Sequence, residues 1–220
     1  LCGHYDIRTG QTFAMPEDAP GFNKTRKRLG NINTPEYWDQ VYGKEGADTW
    51  RKYPEMFQKI ADQVPEDSAV VELGCGVGIL GSKLTAEKGV RWKGYDLSET
   101  AVNMCKARFL DATVFDLRKL ANSHLFDHYN VVVMSETLEH LDRDVGVNVL
   151  RQIQESKYID VAVITTPNDC MGPDEVPEHT ALFNSNYVDS MLDDAGYGDD
   201  WERTYYNADQ HHLMTVLERK

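Results

Sequence analysis

Two carboxylates and an imidazole stand at Glu136, Glu139 and His140, and a second imidazole follows at His179 in Val-Pro-Glu-His-Thr. If the chain is helical there, positions i, i+3 and i+4 share one face, so Glu136-x-x-Glu139-His140 presents its three donors together. Hard and borderline divalent ions take such oxygen and nitrogen donors. One reading therefore places a metal on Glu136, Glu139, His140 and His179. In the other there is no metal: His140 or His179 acts as a general base, or Glu139 pairs with local backbone and His140 simply packs. Glu136, His140 and His179 are the catalytic candidates. Asp169, Asp174, Glu175 and Glu178 could add oxygen ligands or merely solubilise their loop.

A second constellation precedes this one. Val70-Val71-Glu72-Leu73 runs into Gly74-Cys75-Gly76-Val77-Gly78, an apolar run entering a glycine-rich turn. Such a turn visits backbone angles closed to residues with a Cβ, and it lets the main chain and its amides approach a ligand. Three residues after Gly76 stands Ile79, so the spacing is not the dinucleotide fingerprint. Cys75 fits the turn by its small size, and no reactivity is assigned to it. Glu72 brings a carboxylate toward a ligand that carries positive charge. Asp96 ends the next strand, where its carboxylate can accept both hydroxyls of a ribose; the alternative is a solvated strand end. Asp116 follows a third strand, either to accept from an adenine amino group or to cap a helix, and Leu97 and Phe115 can pack on the adenine faces. S-adenosylmethionine (SAM), with its ammonium and sulfonium, fits this set.

The elements that position these residues alternate. Strands are expected at Ala69–Leu73, Val90–Tyr95, Ala112–Phe115, Asn130–Met134 and Ile159–Thr165, and a closing pair at Trp201–Tyr206 and Leu213–Leu217. Helices are expected at Ile79–Glu87, from Ser98 through Cys105, at Val145–Gln154, and at Tyr187–Ala195 with Gly196 as its cap. This is a doubly wound α/β sheet with a parallel core. Two helices precede it, one opened by Thr34-Pro35-Glu36 and one over Trp50–Val64. Residues 1–64 thus read as an N-terminal arm and helical cap over the site, with residues 1–33 irregular, and 65–220 as the ligand-binding domain. His211-His212 opens the last strand with one imidazole to each face, and a surface role is expected for them.

Composition narrows the partners. The 220 residues are 41% hydrophobic and 27% charged, an ordinary globular balance, with no apolar run long enough for a membrane span. The net charge of −13 disfavours a nucleic-acid substrate, although Lys24, Arg26, Lys27 and Arg28 form a basic cluster in the arm. Four scattered cysteines are expected as free thiols in a reducing compartment, and the cytoplasm is the expected location.

Taken in order, Glu-Leu-Gly-Cys-Gly-Val-Gly (72–78), Gly-Tyr-Asp-Leu-Ser (94–98), Val-Phe-Asp-Leu (114–117) and Val-Val-Val-Met-Ser-Glu-Thr-Leu-Glu-His-Leu (131–141) resemble the motifs of class I SAM-dependent methyltransferases. The resemblance implies a mostly parallel seven-stranded sheet with an antiparallel last strand. It also implies SAM as cofactor and S-adenosylhomocysteine as product. Leu117 and Ser135 fall within the same motifs and join the cofactor set. Asn130 departs from the Asp common before the fourth strand. Aromatics ahead of the sheet line the methionine end in this family, which implies Tyr37 and Tyr42; for these, as for Trp38 and Trp50, helix packing is the other reading. Glu-x-x-Glu-His with a later His is similar to ubiquinone-pathway O-methyltransferases and small-RNA 2′-O-methyltransferases, which bind a divalent metal there. The resemblance implies methylation of a hydroxyl on a small metabolite, assisted by Mg, Mn, Fe, Co or Zn. The alternatives are RNA 2′-O- or N-methylation and a SAM-binding regulatory protein without turnover.

Overall fold

The computed structural model describes residues 3–5, 12–14, 32–45, 53–121 and 124–220. Within the arm expected to be irregular, β1 (Gly3–Tyr5) and β2 (Thr12–Ala14) pair antiparallel. The basic cluster at Lys24–Arg28 and the start of the Trp50 helix lie outside the described residues.

Seven strands form the sheet: β3 (Ala69–Leu73), β4 (Arg91–Asp96), β5 (Ala112–Val114), β6 (Val131–Ser135), β7 (Val161–Pro167), β8 (Trp201–Asn207) and β9 (His212–Arg219). Their order is β5-β4-β3-β6-β7-β9-β8. Neighbours from β5 to β7 run parallel, and β9 lies antiparallel between β7 and β8. The expected fold class is therefore the observed one. The order reverses between β3 and β6, and in open α/β sheets the crevice at such a switch point, past the carboxyl ends of the strands, is where ligands bind.

The period-2 alternation of the strands sorts the core. Val71 and Leu73 of β3, with Val132 and Met134 of β6, face one layer, where α5 (Arg143–Glu155) and α6 (Ser185–Ala195) supply Leu150, Ile153, Val188 and Leu192. Val70, Val131 and Val133 face the other, against α2 (Pro54–Gln63), α3 (Ile79–Lys88) and α4 (Glu99–Ala107), through Met56, Ile60, Leu84 and Val102. Both faces of β3 and β6 are thus dry, which is why these strands read as nearly continuous apolar runs. The acids and imidazoles of interest sit only at the strand ends.

Ahead of the sheet, α1 (Pro35–Glu45) begins where Thr34 accepts the Tyr37 N–H at 3.2 Å, with Pro35 at the position that needs no donor. Asp39 of α1 accepts from Ser98 Oγ at 2.5 Å and from Thr100 N at 2.9 Å, which pins the cap helix to the start of α4 beside Asp96. Cys75, Cys105 and Cys170 are free thiols, as expected. No described helix is long and apolar enough to cross a membrane.

Candidate active site

A cavity of about 1020 Å³, its solvent mouth included, opens past the ends of β3, β4, β5 and β6. Glu72 of β3 and Gly74, Cys75 and Gly76 of the loop after it line it, as do Asp96 and Leu97, then Phe115, Asp116 and Leu117, then Ser135 and Glu136. Four loops expected to meet at one ligand therefore do meet.

The glycine turn works differently from expectation. Its amides are directed at the protein itself: Gly74 N and Cys75 N donate to Tyr95 O at 2.7 and 3.0 Å, and Gly76 N donates to Asp96 Oδ2 at 2.7 Å. The turn is thereby latched to the end of β4. Gly76 has φ +50°, and a Cβ there would sit 3.1 Å from the Tyr42 hydroxyl, so glycine gives the aromatic wall its close approach. Gly78 does not line the cavity. It caps α3 at φ +78°, and a Cβ would lie 2.6 Å from Leu110 and 2.8 Å from Cys105 Sγ, so its role is packing and helix entry rather than cofactor contact.

Asp96 is 7% exposed and accepts from Gly76 N and, at 2.9 Å, from Ser98 N. An ionised carboxylate has about four lone-pair positions, so two hydrogen bonds leave capacity for two hydroxyls. Burial, only partly offset by the Ser98 and Gly76 amides, pushes its carboxyl up to about 6. The sign of the consequence follows. Protonation at lower pH removes acceptor capacity, so affinity for a ribose-bearing ligand should fall as pH drops from about 7 to 5. Over the same range the ligand-free fold should gain stability, because its folded state holds this proton more tightly than the unfolded chain does. Titrations at three pH values, paired with melting curves, check both.

Glu72 is buried and accepts the Trp92 indole N–H at 2.8 Å; burial pushes its carboxyl up to about 8. A cationic ligand nearby would draw it toward ionisation. Asp116 lines the cavity beyond Phe115. Its carboxylate is held by Arg118, with Nε at 2.7 Å, Nη2 at 2.9 Å and the backbone N at 3.0 Å. Burial would raise its pKa, but these hydrogen bonds outweigh burial and lower it. Asp116 caps the 3₁₀ turn that follows β5 and lines the cavity as one half of an ion pair.

The cap helix contributes Tyr42 and Trp38, four residues apart and hence on one face, to the cavity wall. Tyr37 falls on another face. It hydrogen-bonds the Glu178 carboxylate in the loop after β7 and does not line the cavity, which corrects the expectation for it. Asn33 was not foreseen. Its amide donates to His140 O at 2.9 Å and to Glu178 O at 2.8 Å, tying the two loops that carry the imidazoles.

Those loops build the second half of the site. The residues between β6 and Arg143 do not form an α-helix. Glu136 takes φ +52°, and a 3₁₀ turn over Leu138–His140 follows. Asp169 and Met171 in the facing loop also have positive φ, at +54° each. Each such residue costs on the order of 1–3 kcal/mol, and such strain gathers at functional sites. Donor atoms of Glu139, His140 and His179 all lie within 4.8 Å of one another. Glu139 is 1% exposed, and its carboxyl stands within hydrogen-bond reach of the Glu136 carboxyl, with His140 Nε2 3.9 Å from Glu139 Oε1. Burial and the adjacent Glu136 push the Glu139 carboxyl well above the usual carboxylate range. Burial and the neighbouring His179 drive His140 down to about 3, and burial lowers His179 as well. Both rings are therefore neutral at pH 7. Nδ1 of each faces a carbonyl, Glu178 O at 3.3 Å for His140 and Met171 O for His179. A donating Nδ1–H leaves Nε2 as a lone-pair donor, the arrangement of a metal-ligating histidine.

Glu139, His140 and His179 therefore fit a divalent cation; Glu136, expected as a fourth ligand, is not among the donors that lie this close together, and adjoins the group through Glu139. Buried carboxylates cost several kcal/mol unless they are neutralised or paired. A base with a pKa near 3 is a poor match to neutral chemistry, which argues against His140 as a general base. Asp169 and Glu178 are engaged elsewhere, by Asn184 at 2.9 Å and by Tyr37.

The surface role expected of both His211 and His212 fails for His212. His211 is exposed, but His212 is 2% exposed and sits between two carboxylates, 3.2 Å from Glu136 Oε2 and 2.8 Å from Asp209 Oδ1. Burial alone would lower its pKa; the hydrogen bonds and charges of Glu136 and Asp209 raise it.

Sheet order, antiparallel last strand and a cavity at the switch point define the fold of class I SAM-dependent methyltransferases. Solved structures agree on the fold. A TehB-like SAM-dependent methyltransferase from Corynebacterium glutamicum superposes with a TM-score of 0.60 at 17% identity, covering 82% of this chain and 100% of that one. The methyltransferase domain of bacterial CtHen1-C gives 0.61 at 16%, covering 75% and 97%. The cyclase SpnF gives 0.57 at 12%, covering 74% and 80%, a reminder that this fold hosts more than one chemistry. No curated protein sequence matches the chain. Residues 54–169, more than half of the chain, match the model of the family described as methionine biosynthesis protein MetW, and the chain belongs to that family.

Proposed function

We propose that this chain is an enzyme that transfers the methyl group of SAM to an oxygen of a small hydroxylated molecule, with a divalent ion held by Glu139, His140 and His179 beside Glu136. One observation carries the reading. Buried Glu139 and the neutral imidazoles of His140 and His179 bring their donor atoms within 4.8 Å of one another, Glu136 adjoins Glu139, and Glu136 and His140 line the same cavity as Asp96.

SAM brings a methyl group already attached to an excellent leaving group. What remains for the protein is alignment and exclusion of water. Asp96 holds the ribose with the acceptor capacity left over by Gly76 and Ser98. Leu97 and Phe115 flank the adenine. Trp38 and Tyr42 shield the cavity, and Glu72 supplies a carboxyl toward the cationic end. A divalent ion at these donors supplies Lewis acidity, which makes an acceptor hydroxyl easier to ionise. Glu136 and His140, where the donor group meets the cavity, orient that hydroxyl toward the methyl.

The cavity is lined by Glu72, Asp96, Asp116, Glu136 and Asp142, and the only guanidinium in its wall among the described residues, Arg118, is already paired with Asp116. With a net charge of −13, this favours an uncharged or cationic acceptor over a polyanion. The likeness of Glu-x-x-Glu-His plus His to small-RNA 2′-O-methyltransferases favours a second reading, an RNA 2′-hydroxyl. The test is S-adenosylhomocysteine formation from SAM with a panel of catechols, other hydroxylated metabolites and short RNAs. Turnover with a small hydroxyl compound is the expected result. Turnover with RNA alone supports the second reading. SAM binding without turnover on any acceptor would point to a regulatory protein.

A further inference from the structure

We propose that Asp209 and His212 position Glu136 for the ion centre, holding its carboxyl against that of Glu139. The proposal rests on the ion reading above.

The two groups come from far along the chain. Because β9 inserts beside β7, with His212 opposite Pro167, the start of the last strand lies under the loops that follow β6 and β7. His212 is buried there, and the Tyr53 ring packs edge-on against it with centroids 5.0 Å apart. Both oxygens of Asp209 reach His212 Nδ1, at 2.8 and 2.9 Å. Asp209 is itself fixed, because its Oδ1 accepts from His211 N at 2.7 Å and His212 N at 3.0 Å. The ring can neither flip nor swing without breaking these contacts, so Nε2 is aimed at Glu136 Oε2, 3.2 Å away.

Glu136 is held between two neighbours. Its Oε2 is engaged by His212 Nε2, and the same carboxyl stands within hydrogen-bond reach of Glu139, the carboxyl of the donor group. Outer residues that fix a metal ligand in this way typically account for about 10–100-fold in metal affinity. Neither Asp209 nor His212 lines the cavity, so SAM contacts are left alone.

The test is titration of the metal-free full chain with Co²⁺, following the visible ligand-field spectrum and the heat of binding, with SAM affinity as the remote control. His212→Leu removes the donor, and His212→Gln keeps an N–H within reach of Glu136. The Leu variant should bind Co²⁺ about 10–100-fold more weakly with an altered spectrum, and Gln should recover most of the loss. SAM affinity should be unchanged in both. Should the Leu variant fail to fold, Asp209→Asn, which loosens the ring, is expected to weaken Co²⁺ about tenfold. Wild-type affinity and spectrum in the Leu variant, or in the Asn variant where Leu does not fold, would overturn the proposal. So would a Gln variant as weak as Leu. A wild-type chain that takes up no Co²⁺ would instead overturn the ion reading itself, and this proposal with it.

Discussion

Asp96→Ala is expected to remove measurable SAM binding. Two hydrogen bonds from ribose hydroxyls to an ionised carboxylate, at about 1.5–3 kcal/mol each, correspond to roughly 10²–10⁴-fold in affinity. The substitution also strands the buried N–H groups of Gly76 and Ser98, which now end on the carboxylate. Each lost partner costs about 1–3 kcal/mol, so the melting temperature should fall as well. Asparagine is no safe replacement, because its NH₂ would face one of these two N–H donors. Calorimetric titration with SAM reads the effect, and an unchanged affinity would remove the ribose assignment.

The second large effect concerns Glu139 and has opposite signs for activity and stability. Glu139→Gln should abolish methyl transfer, and metal-free wild type should be equally inactive until a divalent ion is restored. Yet without an ion the variant should melt higher than wild type. It replaces a 1%-exposed carboxyl beside Glu136, which must take up a proton on folding near pH 7, by a group that needs none. A gain of about 1–2 kcal/mol would shift the midpoint by about 2–8 °C in a domain of this size. With saturating ion the order should reverse. Scanning calorimetry with and without EDTA measures this, and a variant that is less stable in both conditions would mean that Glu139 is an ordinary structural residue.

Much of this site is legible in the sequence because it lies at strand ends. Asp96 and the 72–78 turn are each written locally, as an apolar run followed by an acid or by glycines. Glu136-x-x-Glu139-His140 is local too, although the chain reaches the grouping through a strained residue and a 3₁₀ turn rather than an α-helix. What escapes is non-local. His212 reads as a surface histidine until β9 slides in beside β7 and carries it under Glu136. Asp116 looks free until Arg118, two residues on, folds back onto it. Tyr37 and Tyr42 are indistinguishable by type, and only the helical rotation between them sends one to the cavity and the other to Glu178. The amides of the glycine turn likewise bind Tyr95 and Asp96, partners fixed by the β3–β4 register rather than by the turn's own sequence.

The most direct test of the central claim needs no acceptor. Calorimetric titration of the chain with SAM should give one binding site, displaced by S-adenosylhomocysteine and indifferent to NAD. Absence of SAM binding, or NAD binding in its place, would contradict the assignment of the cavity.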